Sequence, residues 1–106
     1  VADCLVTGIA QGIGADMHLY HSSQGDPIYA VGSLIWAGKP VPAQDALDAA
    51  HRLDRLAKKM RGLKNKQHAR TTADELRTAV WADCPNAELE GLRGEKKRVR
   101  ARRRRR

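Results

Sequence analysis

The sequence predicts an α+β fold, mainly α: a Gly-rich N-terminal αβ segment, a helical hairpin, and a disordered Arg-rich C-terminal tail. Three observations carry this expectation. Apolar residues recur at helical spacing from Ala46 to Leu63, glycines and β-prone residues fill the first forty positions, and the chain ends in Arg102 through Arg106. One small domain is expected over 1–92, built from the segment 1–40 and helices at 42–66 and 72–84, with 93–106 as a basic tail. With 106 residues, no Phe, and only Trp36, Trp81, Tyr20 and Tyr29 as aromatics, the core must be small.

In chain order, Gly8, Gly12 and Gly14 make the opening poor material for a free-standing helix. Ile28 to Trp36 is a β-prone run bounded by Gly25-Asp26-Pro27 and Gly38-Lys39-Pro40, which reads as one strand or a pair kinked at Gly32. From Pro40 to about Lys66 the pattern turns helical. Ala46, Ala49, Leu53, Leu56, Met60 and Leu63 recur at spacings of 3, 4, 3, 4 and 3, with Leu47, Ala50 and Ala57 widening the stripe. Pro42 suits a first helical turn, and Asp45 and Asp48 precede Lys58, Lys59, Arg61 and Lys64 in the order the helix dipole favours. Thr72 and Glu75 form a capping-box pattern that predicts a second helix, with Leu76, Ala79 and Val80 on one face and Pro85 as its stop. The short polar link at 65–71 implies antiparallel packing. Asn86 is a candidate cap for a third helix contacting through Leu89 and Leu92, and disorder is expected beyond Glu95 in the free protein.

Charge divides the chain. Residues 1–50 hold one base, Lys39, against five aspartates, a net −4, whereas residues 51–106 hold nineteen Lys and Arg against seven acids, a net +12. Adjacent guanidinium groups cannot share a packed core, and their planar forks bind phosphate bidentately. The expected function is therefore non-catalytic nucleic-acid binding, RNA ahead of DNA, as in a viral or phage regulator or a ribonucleoprotein component. The candidate phosphate contacts are Arg52, Arg55, Lys58, Lys59, Arg61, Lys64, Lys66 and Arg70 on and after the long helix, and Lys96, Lys97, Arg98, Arg100, Arg102, Arg103, Arg104, Arg105 and Arg106 in the tail. Asn65, Gln67 and His68 continue the helical band as uncharged donors. With Trp81 the sole aromatic of the basic half, backbone and shape readout is expected rather than base stacking.

The alternative reading is a protein-interaction module, an inhibitor or assembly factor, docking by its apolar seam and its Tyr29–Trp36 strand. A homodimer or a larger protein or ribonucleoprotein complex is a further expected partner. No run approaches the roughly 20 apolar residues of a membrane span and no signal-peptide pattern opens the chain, so a soluble intracellular protein of cytoplasm, nucleoid or nucleus is expected. Cys4 and Cys84 are accordingly expected to be free thiols. His18 and His21 lack the spacing of a metal knuckle, and no Ser/His/Asp grouping is readable, so neither a metal nor catalysis is expected.

Leu5-Val6-Thr7-Gly8-Ile9-Ala10-Gln11-Gly12-Ile13-Gly14 resembles the nucleotide-binding opening of the short-chain dehydrogenase/reductase family, T-G-x-x-x-G-x-G between a first strand and a first helix. The resemblance covers residues 1–33 and extends to the spacing from Gly14 to Gly25, with Pro27–Gly32 where the family's second strand would lie. It implies a parallel sheet and a dinucleotide held by Thr7, Gly8, Gly12 and Gly14. After residue 33 the match ends, without the family's Tyr-x-x-x-Lys pair. A dinucleotide-binding fragment is thus a third reading, beside the expectation of no cofactor.

Overall fold

The computed structural model describes residues 4–20 and 23–85. It is mainly helical with a small β element: β1 (Leu5–Val6), α1 (Gln11–His18), α2 (Pro27–Trp36), β2 (Val41–Pro42), α3 (Ala43–Lys59) and α4 (Leu63–Asp83). The two strands pair antiparallel, Leu5 opposite Pro42 and Val6 opposite Val41. None of the described helices is long and apolar enough to cross a membrane.

Residues 28–36 are a helix, not the expected strand. Asp26 is extended and its side chain accepts the Ile28 N–H at 2.9 Å, while Pro27 occupies the first turn, where its missing N–H costs nothing. The run is rich in β-branched residues, yet Ile28, Val31, Gly32 and Ile35 recur at helical spacing and all are buried. Helix α2 crosses α1 closely because glycines meet there. A Cβ on Gly14 would lie 2.9 Å from the Trp36 nitrogen and 3.2 Å from the Gly32 carbonyl oxygen, so only a bare Cα fits.

Helix α3 follows the anticipated seam as far as Ala57. Ala43, Ala46, Ala49, Ala50, Leu53 and Ala57 are fully buried, the alanines allowing α2 and α4 to approach. The helix stops at Lys59 rather than near Lys66. Met60 is extended and Gly62 has φ +92°, a left-handed conformation that reverses the chain in three residues. Met60 and Leu63 thus fall off the seam, and Leu63 is 70% exposed.

Helix α4 begins at Leu63, nine residues before the anticipated start. Thr72 is not its cap: the hydroxyl lies inside the helix and donates to the His68 carbonyl at 2.9 Å, one turn back. Residues 65–71 look like a link because they are polar, but Lys, Gln, Ala and Arg are good helix formers. The Ala43 N–H donates to the Cys4 carbonyl at 2.9 Å, and Cys4 is bonded to Cys84, so the start of α3 lies beside the end of α4. With the other ends joined by three residues, α3 and α4 form an antiparallel hairpin.

Three ion pairs, built on the buried Arg77 and the half-buried Arg52, fix the helices. Arg77, 7% exposed, donates to Asp54 of α3 at 2.9 Å and to Asp74 at 2.5 Å. Arg52 donates through Nε to Asp26 at 3.0 Å, tying α3 to the cap of α2. Cys4 and Cys84 form a disulfide, contrary to the expected free thiols, with Cα atoms 6.2 Å apart across 80 residues of sequence. Adjacent β1 and the end of α4 place the two sulfurs together, a proximity that sequence separation hides.

Candidate nucleic-acid interface

The basic residues of the hairpin gather at its tip. Between Arg55 and Arg70 the sequence carries seven Lys and Arg and no Asp or Glu. Arg55, Lys58, Lys59, Arg61, Lys64 and Arg70 are exposed and Lys66 is half-buried. None of the seven makes an ion pair among the described residues. Every residue from Arg61 to Asn65 is exposed, so the turn and the first turn of α4 stand clear of the packed helices.

Local chemistry adds to the side-chain charge. Helix α4 starts from Gly62 with no side-chain cap and no acid in its first turn, leaving its first N–H groups to solvent. Lys58 and Lys59 complement the carbonyl end of α3. Asn65 and Gln67 are exposed, and Leu63 places an apolar side chain among the cations.

Other anticipated contacts have different surroundings. Arg52 is engaged with Asp26, its side chain 26% exposed, which ties its Nε into the fold. His68 is held by neighbours: its Nδ1 is hydrogen-bonded to the Tyr20 hydroxyl and its Nε2 lies 3.5 Å from Asp16. Burial and the nearby Asp16 raise the Tyr20 pKa, so Tyr20 stays protonated and can donate, leaving an Nε2–H toward the carboxylate. This chain of groups latches α1 to α4. Arg77, another cation of α4, is a structural residue whose role required knowing that Asp54 and Asp74 converge on it. Lys96, Lys97, Arg98, Arg100, Arg102, Arg103, Arg104, Arg105 and Arg106 lie outside the described residues, as do His21 and the anticipated third helix.

The glycine-rich turn does not form the nucleotide site that the short-chain dehydrogenase/reductase resemblance implies. The described residues contain a two-stranded antiparallel sheet in place of a parallel one. An internal carboxylate occupies the loop amides: Asp83 Oδ2 accepts the Thr7 and Gly8 N–H groups at 2.8 and 3.0 Å. Gly14 serves the crossing of α1 and α2, and Gly12 faces open space. The Thr7 and Gly8 amides hold the Asp83 pKa below its ordinary value. A group so lowered stabilises the fold above its unfolded pKa and loses that contribution as pH falls through its folded pKa. Asp83→Asn is therefore expected to be less stable than the parent at pH 7 and to approach it at strongly acid pH, below the lowered folded pKa, where the parent's carboxylate takes up its proton. Urea midpoints at the two pH values check this. An equal gap at both would mean that the charge of Asp83 contributes nothing.

The disulfide uses both cysteines, and no group of three or more His, Cys, Asp or Glu among the described residues could hold a metal. Of the surfaces named for protein docking, the α3 seam lies in the core, and Tyr29–Trp36 is a helix rather than a strand, with Trp36 59% exposed. No family model matches the chain, and no curated protein and no solved structure matches it.

Proposed function

We propose that this chain is a non-catalytic nucleic-acid-binding protein that holds phosphate backbone against the tip of its helical hairpin. The observation that carries the reading is the acid-free run of seven cations from Arg55 to Arg70, set around a turn whose residues 61–65 are all exposed. Cations on a projection can meet successive phosphates without desolvating a broad surface, and released counterions supply the affinity. The tip has no aromatic side chain on which a base could stack, so it reads backbone and shape, and structured RNA stands ahead of DNA as the ligand. The arginines of 102–106 add phosphate contacts from the same chain. A disulfide is maintained where thiols are oxidised, so we place the working protein in an oxidising compartment or on an exposed particle surface rather than in a reducing cytosol.

The double variant Arg55→Glu with Lys59→Glu tests the tip. Both residues are exposed and four apart on α3, so they project from one side. Binding to duplex or structured RNA is expected to weaken by about 2–4 kcal/mol at low salt, because each change replaces attraction with repulsion. Helicity by circular dichroism should barely move, glutamate being a good helix former. Unchanged affinity in a folded double variant would remove the tip from the interface.

A further inference from the structure

A second surface of opposite character lies along α4. Its outward face and the loop leading into α1 enclose an open cleft of about 460 Å³. Its apolar lining comes from Ala10, Ile13, Ala79 and Ala82, and its charged lining from Asp74 and Glu75. The Asp74 side chain is 70% exposed, and Glu75 is exposed with no ion pair among the described residues. Asp54, Asp74 and Glu75 set three carboxylates against the single guanidinium of Arg77, so this stretch of the hairpin is acidic while its tip is basic.

We infer that the cleft is the docking site of the chain's own C-terminal segment, with Leu89 and Leu92 on its apolar lining and Lys96 and Lys97 against Asp74 and Glu75. Position, length and charge select this occupant. Ala82 is three residues before Pro85, so the chain passes the mouth of the cleft as it leaves α4. From the end of α4 at Asp83 back to Glu75 is eight helical residues, about 12 Å at the usual rise. Lys96, eleven residues past Pro85, can reach up to about 36 Å, which leaves length for a reversal. Residues 93–106 carry ten bases and one acid, Glu95. Such a segment is repelled by the cations of the tip and drawn to the carboxylates of the cleft. Leu89, flanked by Glu88 and Glu90, and Leu92 supply the apolar contacts, and Lys96 and Lys97, after Glu95, supply the charges that face the acids. The inference stands whether or not the tip binds nucleic acid.

Zero-length carbodiimide coupling of the full-length, oxidised chain at high dilution tests it, read by peptide mass mapping. The expected result is amide formation within one molecule, joining Lys96 or Lys97 to Asp74 or Glu75. These links should exceed severalfold those to Asp45 and Asp48, which are exposed on the first turns of α3 and serve as internal reference. Glu75→Gln, an exposed and conservative change, should lower the yield of the link peptides, and high salt should do the same. Links to Asp45 and Asp48 as frequent as those to Asp74 and Glu75 would overturn the inference. So would links found only between two molecules, which would assign the cleft to a second copy.

Discussion

Replacing Cys4 and Cys84 together with serine is expected to lower the unfolding free energy by about 4–5 kcal/mol, the chain-entropy value for closing a loop of this size. The cross-link spans 80 residues and joins the two ends of the described fold. In the unfolded chain it forbids the many conformations in which those ends are far apart, so its loss stabilises the unfolded state most. The native geometry also depends on it. Cys4 precedes β1, and the residue before Cys84 is Asp83, whose carboxylate holds the Thr7 and Gly8 amides. Opening the bridge frees the end of α4 to fray, exposing Val6 and Val80, which are 1% and 0% exposed in the intact fold. Urea denaturation of the oxidised parent and the serine variant is the check, with the slope compared as well as the midpoint, because the cross-link compacts the unfolded state. A difference below about 1 kcal/mol would mean that local packing alone holds the termini, at odds with the size of the loop closed.

Leu53→Ala is expected to cost about 2–5 kcal/mol, the range for deleting a fully buried leucine whose site cannot collapse. Leu53 is 0% exposed, in the middle of α3, which packs against both α2 and α4. The small residues around it, Ala46, Ala49, Ala50 and Ala57, have no side-chain length with which to fill a void. Leu56, one helical turn from Arg52, is only partly buried and should cost less. Leu63, 70% exposed at the tip, should fall within about 0.5 kcal/mol of the parent, as surface changes do. Reversible thermal melts of the three alanine variants check this order. Equal losses at Leu53 and Leu63 would contradict the end of α3 at Lys59.

The periodicity of residues 46–57 was legible in the sequence because an amphipathic helix writes its buried face at fixed spacing. The breaks around it were harder to read. An Ala/Leu seam extrapolates smoothly through Met60 and Leu63, and only the left-handed Gly62 shows that the chain reverses before the polar stretch. The capping pattern at Thr72 and Glu75 is satisfied equally by a threonine bonding back within a helix, so it marks a start only when the preceding residues are not helical. In Ile28–Trp36 composition and spacing disagreed, and the Asp26-Pro27 cap decided for helix. The thiol pairing and the Asp83 contact join residues 80 and 76 positions apart, and no local signal reports such contacts. Of the candidate interface, charge alone was legible. The fold distinguishes Arg52 and Arg77, which are tied to aspartates, from the exposed cations between Arg55 and Arg70.

The salt dependence of binding decides whether the hairpin tip holds a phosphate backbone. The full-length oxidised chain is titrated with duplex or structured RNA over a range of salt concentrations, beside a variant with Lys58, Lys59, Arg61 and Lys64 all changed to glutamine. Log affinity should fall linearly with log salt, and the variant's slope should be shallower by roughly 0.7–0.9 for each phosphate contact removed, while its melting profile stays that of the parent. Parallel lines for parent and variant, or no salt-dependent binding by the parent, would contradict the assignment of the hairpin tip as a phosphate-backbone interface.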